Sequence, residues 1–218
     1  MKEFWTVLGA DYAGKSEALR RLRTETGWQV ISYDDPYLHG RPVVRWLRES
    51  GFFEAYTKVG RAYSADLAFS LLTPIVLHLR DEVLRTAAHG PAVVDSYYYK
   101  LLAKGVITGL ADERAGAIWR ALLQPRPAGV VFLDVAPHVA WHRAGGAVNP
   151  FEYYGAEPTW EGFARFQRDL RGVMLDQIKG LPAVVIDANR PAEAVAADVI
   201  SALRQIGMPQ DRISSLVT

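Results

Sequence analysis

The chain has 218 residues, of which 50% are hydrophobic, and its 25 lysines and arginines against 24 acidic residues give a formal net charge of +1. This length suits one domain with a substantial core, and the near-neutral charge excludes the broad basic field that binding to nucleic acid or a membrane surface requires. The chain has no cysteine, which excludes disulfides, thiolate metal sites and cysteine nucleophiles.

The first predicted element is a buried strand at residues 4–8, Phe-Trp-Thr-Val-Leu, because the segment is apolar and rich in residues that favour strands. Residues 9–16 follow with the spacing Gly, four residues, Gly-Lys-Ser. Apolar residues then recur at helical spacing, and Gly27 marks the expected end of that helix. A strand, a glycine loop and a helix in this order predict the phosphate-binding loop of nucleotide-binding enzymes.

The chemistry of this loop explains its residue types. Inward-facing backbone N–H groups and the positive end of the following helix bind a triphosphate. Lys15 has the reach to contact the outer phosphates, and the Ser16 hydroxyl is a ligand for Mg²⁺. We therefore expect ATP and Mg²⁺ to bind here. The predicted nucleotide-binding residues of the loop are Gly9, Asp11, Tyr12, Ala13, Gly14, Lys15, Ser16 and Glu17.

A second strand is predicted at residues 28–32, and the Tyr-Asp-Asp-Pro at 33–36 ends it. Ligands of open α/β sheets bind beyond the carboxyl ends of the strands, so Asp35 is a candidate for binding the acceptor; a solvated turn is the alternative. A short helix is predicted over residues 43–50. A helical pattern then runs from about residue 54 to 88, with a bend at Pro74.

Three further apolar segments predict strands, each followed directly by an aspartate: residues 92–94 with Asp95, 130–133 with Asp134, and 183–186 with Asp187. Helices are predicted after each of them, and a long amphipathic helix over residues 160–178. The irregular segment at about residues 143–157 has the length of a lid. Alternating strands and helices predict a single α/β domain over residues 1–218, with a parallel sheet covered by helices on both faces.

Targeting signals are not evident in the sequence. The first strand begins close to the N-terminus, which leaves no room for a signal peptide, and no apolar run is long enough to span a bilayer. We therefore expect a cytoplasmic protein with no membrane and no nucleic-acid partner.

These motifs resemble those of the thymidylate kinase family of P-loop kinases over most of the chain. Residues 8–16 look like the family's Glu-Gly-x-Asp-Gly-x-Gly-Lys-Ser/Thr, and the Asp-Pro at 35–36 looks like its Glu-Pro. Residues 93–97, Val-Val-Asp-Ser-Tyr, are similar to the family's Asp-Arg-Tyr segment, and residues 133–137 are similar to the strand that enters its lid. The resemblance implies a three-layer P-loop kinase fold, a five-stranded parallel sheet in the order 2-3-1-4-5 and a short lid.

The resemblance also implies roles for individual residues. Asp11 would contact the acceptor sugar, and Phe69 would stack on the base. Asp95 would hold Mg²⁺ through water, beside Ser16, while Arg143 would close with the lid on the transferring group. Three residues would lie in the loop next to the adenine: Asp187, Asn189 and Arg190. Related kinases are often homodimers through their long helices, so we expect a homodimer here.

Two positions depart from the family. The arginine of Asp-Arg-Tyr is Ser96 here, and the arginine expected four residues beyond the stacking phenylalanine is Thr73. In the family both help to hold the acceptor's phosphate, where each charge-assisted hydrogen bond contributes about 1.5–3 kcal/mol. Either other cations replace them, for which Arg41, Arg45 and Lys100 are candidates, or the acceptor has no phosphate there.

We therefore predict an ATP- and Mg²⁺-dependent phosphotransferase that acts on a nucleoside or a nucleoside monophosphate. A kinase of a non-nucleoside alcohol and a non-catalytic nucleotide-binding regulatory protein are the alternatives. A hydroxyl acceptor requires a carboxylate to orient it or take its proton. The predicted catalytic residues are Lys15, Asp35, Asp95 and Arg143. The predicted acceptor-binding residues are Asp11, Asp35, Arg45, Phe69, Thr73, Ser96, Tyr97 and Lys100.

Overall fold

A computed structural model describes residues 3–34, 42–50, 62–86, 90–109, 117, 119 and 124–206, with only the backbone of residues 43 and 48. Strands and helices alternate along these residues in the order that the sequence predicts. They are β1 Phe4–Gly9, α1 Lys15–Thr26, β2 Gln29–Ile31, α2 Pro42–Glu49, α3 Ala65–Thr86, β3 Ala92–Asp95, α4 Tyr99–Ile107, β4 Gly129–Asp134, α5 Pro137–Ala144, α6 Trp160–Gln177, β5 Ala183–Asp187 and α7 Ala192–Ile206.

The five strands form one parallel sheet in the order β2-β3-β1-β4-β5, which confirms the predicted order. β1 lies at the centre, and its Val7 is in register with Asp95 of β3 and with Val131 of β4. Because all the strands are parallel, their carboxyl ends meet at one edge of the sheet. The segments that follow β1, β3 and β4 are therefore neighbours at that edge.

Each face of the sheet has its own core, as the alternation of side chains along β1 requires. Phe4 and Leu8 pack into one cluster together with buried residues of α3, α4 and α6. Trp5 and Val7 pack into the other cluster, against buried residues of α1 and α7. The sheet is covered on both faces, as predicted, except that Val184 and Val185 of the edge strand β5 are 36% and 56% exposed.

The helices agree with the sequence predictions at some positions and differ at others. α1 ends at Gly27, whose φ of 70° and N–H bond to the Arg23 carbonyl form the expected cap. α3 continues through Pro74 to Thr86, because one proline removes only one hydrogen bond from a helix whose apolar face is buried along most of its length. The predicted start of this helix at residue 54 lies outside the described residues. No helix in the described part of the chain is long and apolar enough to cross a membrane.

Candidate active site

The loop between β1 and α1 has the tight turn that the glycine spacing predicts. A Cβ on Gly9 would lie 2.7 Å from the Leu133 carbonyl oxygen, so the loop passes too close to β4 for any side chain there. Gly14 is left-handed, with a φ of 92°, and Tyr12 adopts a φ of 60°. The Gly14 carbonyl accepts the first helical hydrogen bond, from Ala18. The loop therefore leads directly into the positive end of a 12-residue helix.

Lys15 is folded back into this loop. Its Nζ donates to the carbonyl oxygens of Gly9 and Ala10, at 3.0 and 2.9 Å, and the residue is 9% exposed. Burial and the nearby Lys100 ammonium lower the pKa of Lys15 to about 7, although Asp95 and Asp11 act in the opposite direction. A phosphate oxygen near Nζ would favour the charged form and offer a stronger acceptor than either carbonyl.

A cavity of about 850 Å³ opens beside the loop. Residues 11–17 line it together with other predicted site residues, Asp95, Ser96, Lys100 and Arg143. Its walls also include residues that the sequence analysis did not assign to the site, among them Tyr33, Leu72, Leu101 and Lys104. This volume is in the range of cavities that hold small-molecule ligands.

The carboxyl end of β3 brings Asp95 to the cavity. Its two carboxylate oxygens accept hydrogen bonds from the Ser96 and Ser32 hydroxyls, at 2.9 and 3.3 Å. Ser96 and Tyr97 both have left-handed backbones, with φ of 56° and 43°, and such conformations cluster at functional sites. This turn buries Tyr97 completely against Phe4, so the predicted acceptor contact of Tyr97 is not supported by its position.

Asp11 lies at the centre of a buried charge cluster. Its carboxylate forms ion pairs with Lys100 and, at 3.2 Å, with Lys104, both from α4. Gln167 of α6 accepts from the Asp11 backbone N–H at 3.3 Å and lies 3.4 Å from the carboxylate. Burial alone would raise the pKa of Asp11, but the ammonium groups of Lys100, Lys104 and Lys15 outweigh it and hold that pKa well below its usual range.

The predicted lid folds over the phosphate loop. The Tyr12 hydroxyl lies 2.7 Å from Glu152 Oε2 and 2.9 Å from the Ala147 carbonyl oxygen. Asn149 donates to the same carboxylate through its backbone N–H, at 3.0 Å, and through Nδ2, at 3.1 Å. Gln167 Nε2 donates to the Glu152 carbonyl oxygen at 3.1 Å. Glu152 thus joins the lid to the loop and to α6.

Tyr12→Phe tests this connection. Removing the hydroxyl takes a donor from Glu152, which is 7% exposed, so we expect a loss of about 1 kcal/mol in the free energy of unfolding. Proteolysis within residues 144–157 should become faster as the segment opens more often. Urea unfolding and limited proteolysis measure the two effects. Tyr153→Phe is the matched control, since the Tyr153 hydroxyl bonds to no other described residue. Equal behaviour of the two variants would contradict the contact.

Arg143 connects the phosphate loop to the loop after β5. Its guanidinium donates to the carbonyl oxygens of Tyr12, at 3.1 Å, and Arg190, at 2.7 Å. Asp187 accepts from the Asn189 backbone N–H at 3.0 Å and from its side chain at 2.7 Å. The residues predicted to lie near the adenine, Asp187, Asn189 and Arg190, therefore form an ordered loop beside Arg143, although they do not line the cavity.

Several predicted acceptor residues lie away from the cavity. Phe69 is 3% exposed and stacks on Trp119, with ring centroids 4.0 Å apart. Thr73 accepts a hydrogen bond from Trp119 Nε1 at 3.2 Å, whereas Leu72, between the two, lines the cavity. Arg45 is exposed on α2. In this conformation none of the three supports the predicted contact with an acceptor. Asp35, like Arg41, lies outside the described residues.

The donor set suits a nucleotide-bound Mg²⁺. The described residues hold no cluster of three or more histidines, cysteines, aspartates or glutamates arranged for a metal ion. Mg²⁺ carried by phosphates keeps several waters and needs only one or two protein oxygens. The Ser16 hydroxyl and the Asp95 carboxylate line the same cavity and are oxygen ligands of the required kind. They therefore fit a metal that arrives with the nucleotide.

Comparison with known proteins shows the fold. No family model and no curated protein matches the sequence. The solved structures similar to this chain include a deoxyadenosine kinase from M. mycoides, with the products dCMP and a flexible dCDP bound. It is 14% identical, with a TM-score of 0.61, over 93% of this chain and 99% of the kinase. The similarity confirms the predicted P-loop kinase fold, while the specific likeness to thymidylate kinases stays a prediction.

Proposed function

We propose that this protein is an ATP- and Mg²⁺-dependent phosphotransferase that acts on a nucleoside or a nucleoside monophosphate. The observation that carries the proposal is the phosphate loop, whose buried Lys15 faces a cavity lined also by Asp95 and Arg143. The shared fold with a deoxyadenosine kinase supports this class of reaction but does not identify the acceptor.

In the proposed reaction the bond between the γ-phosphorus of ATP and the bridging oxygen breaks, ADP leaves with that oxygen, and the phosphoryl group forms a new P–O bond to an oxygen of the acceptor. Loop amides and Lys15 hold the β- and γ-phosphates, and Arg143 neutralises charge on the transferring group. Ser16 and, through water, Asp95 would hold Mg²⁺, which would supply further charge neutralisation when the nucleotide is bound. A hydroxyl acceptor also gives up a proton, for which Asp11, Asp95 and the predicted Asp35 are candidates. An acceptor that is already a phosphate needs no strong base.

The direct test is acceptor-dependent ADP formation. Purified protein with ATP and Mg²⁺ is assayed alone and with nucleosides, nucleoside monophosphates and small alcohols. We expect ADP formation to rise about a hundredfold or more with at least one nucleoside or its monophosphate, because positioning of the acceptor dominates this catalysis. A response to small alcohols alone would favour the non-nucleoside kinase. ATP binding without any acceptor response would favour a regulatory protein.

Two further expectations accompany the proposal. A homodimer through the long helices stays a prediction, as does a cytoplasmic location. Exposed Leu67 and Leu71 lie one turn apart on α3, at 47% and 38% exposure, and apolar surface of this kind is compatible with helix pairing between subunits.

A further inference from the structure

Two lysines of α4 share one face of the cavity. Lys100 and Lys104 are four residues apart, which places them one turn above each other on the helix. Their side chains are 12% exposed, and both line the cavity. Two buried cations on an otherwise apolar helix are costly, so their presence requires a compensating group.

The compensation among the described residues is incomplete. Asp11 is the one described carboxylate within ion-pair distance of either ammonium, and Lys100 and Lys104 both use it. Asp95 and Glu152 act on the two lysines only at longer range, and the Lys15 ammonium is also close. Burial lowers the pKa of Lys104, whereas for Lys100 the nearby acidic groups, Asp11 foremost, outweigh burial and raise the pKa. Lys100 and Lys104 therefore share a single carboxylate as their close ion-pair partner among the described residues.

The ammonium groups also have donors to spare. Each carries three N–H groups. Among the described residues, the carboxylate contacts of the two ammonium groups are the ion pairs with Asp11, and Lys104 adds a cation–π contact with the Phe166 ring, 5.8 Å from its centroid. An anion with several oxygen atoms would satisfy the spare donors of both lysines. A phosphate group has that chemistry.

Resting on the proposed function, we propose that Lys100 and Lys104 form the site that binds the phosphate group of a phosphorylated acceptor. Lys15 and the loop amides already serve the donor's phosphates, whereas Lys104 lies a turn further along α4, beside α6. The nearby walls of the cavity include Tyr33, Leu72 and Leu101, whose aromatic and apolar surface suits an organic body attached to that phosphate. Asp11 holds the two ammonium groups together until the acceptor arrives.

This assignment explains the two missing arginines. Ser96 and Thr73 cannot provide cations, and Arg45 lies on the surface, away from the cavity. Lysine binds phosphate as a point charge and does not need the planar geometry of an arginine contact, so two lysines from one helix are sufficient. The proposal therefore selects the nucleoside monophosphate over the nucleoside as the acceptor.

Paired ligands provide the test. Wild-type protein is titrated, with ADP and Mg²⁺ present, by calorimetry with each common nucleoside 5′-monophosphate and with the corresponding nucleoside. We expect at least one monophosphate to bind about tenfold or more tightly than its nucleoside. Lys104→Gln should weaken that binding by about tenfold to a hundredfold, the range for one charge-assisted hydrogen bond, and should leave the affinity for ADP unchanged within about twofold. Lys104→Arg, which retains the charge, should recover most of the affinity.

Lys179→Gln is the matched control, because Lys179 pairs with Asp176 on the surface with 78% of its side chain exposed. It should change neither affinity. Nucleosides that bind as well as their monophosphates would overturn the proposal, as would the absence of binding by any pair. A Lys104→Gln variant that loses ADP instead would assign the lysines to the donor's phosphates. If Lys104→Gln does not fold, weak monophosphate binding by a folded Lys104→Arg variant would also count against the site.

Failure of this inference is distinguishable from failure of the proposed function. Wild-type protein that does not bind ADP with Mg²⁺ would contradict the phosphotransferase itself. If the substitution of Lys104 changes neither ADP binding nor acceptor-dependent ADP formation, only the lysine site is contradicted.

Discussion

Lys15→Met is expected to reduce acceptor-dependent ADP formation by about a thousandfold or more at saturating ATP. Methionine retains the length and much of the volume of the side chain but removes the cation that the proposed function assigns to the β- and γ-phosphates. Losing one group that stabilises charge in the transition state typically costs a hundredfold to a thousandfold in rate, and a full charge lies at the upper end. The measurement is a coupled ADP assay with the best acceptor from the panel.

The fold of this variant should remain intact. Lys15 is buried and its ammonium donates to two backbone carbonyls, so the charged side chain is held at a desolvation cost. We therefore expect Lys15→Met to melt at a temperature no lower than that of wild type when no nucleotide is present. Lys179→Met controls for the loss of a surface lysine. Full activity in a folded Lys15→Met variant would contradict the phosphate-loop assignment.

Asp11→Asn is expected to destabilise the protein by about 3 kcal/mol, since removing one partner of a buried ion pair leaves uncompensated charge. Here the carboxylate is shared by Lys100 and Lys104, and its side chain is only 10% exposed. Urea unfolding at pH 7 gives the difference in the free energy of unfolding. Asp176→Asn removes a carboxylate whose side chain is 69% exposed and which forms a surface ion pair with Lys179. It should lower the free energy of unfolding by no more than about 1 kcal/mol. Equal losses in the two variants would contradict the buried cluster.

The pH dependence of this difference has a definite sign. The ammonium groups lower the pKa of Asp11 in the folded protein, while the unfolded chain titrates near the ordinary value of 3.8. The stability that Asp11 contributes is therefore fully present above that value and is lost as the pH falls below it toward the folded pKa. We expect the difference between wild type and Asp11→Asn to stay constant from about pH 7 to pH 5 and to shrink below about pH 4.

Phosphate ions should partly replace the missing carboxylate. If Lys100 and Lys104 attract a phosphate, inorganic phosphate at fixed ionic strength should raise the melting temperature of Asp11→Asn more than that of wild type, because ligand binding to the folded state stabilises it by mass action. Chloride at the same ionic strength is the control. The absence of any such difference would count against an anion site between the two lysines.

Some residues of the candidate site could be predicted from the sequence and others could not. Lys15, Ser16 and the glycines could be placed in a tight loop between a strand and a helix because their spacing is local. Phosphate binding by this loop stays a prediction. Lys104 left a weaker signal, a second lysine one turn beyond Lys100 in an apolar helix. The signal of Gln167 was a single polar residue within the apolar stripe of α6. Neither pattern indicates a partner, since nothing along the chain relates α6 to a loop 156 residues earlier.

Phe69 and Tyr97, two of the predicted acceptor residues, lie in the core for a related reason. The resemblance made Phe69 a stacking candidate, but it carried no information about Trp119, whose ring stacks on Phe69 in the core. Tyr97 was assigned to the acceptor because residues 95–97 are similar to the family's Asp-Arg-Tyr. Two successive left-handed residues turn its side chain into the core instead.

The sequence alone determined the tight glycine loop, the alternation of strands and helices and the parallel sheet, because turn chemistry and hydrophobic periodicity act over a few neighbouring residues. Only the tertiary structure decided which charges meet in the cavity. Parallel register brings the ends of β1 and β3 together, and the packing of α4 and α6 then sets Lys100, Lys104 and Gln167 around Asp11. Such contacts depend on the path of the whole chain through space, which local patterns do not record.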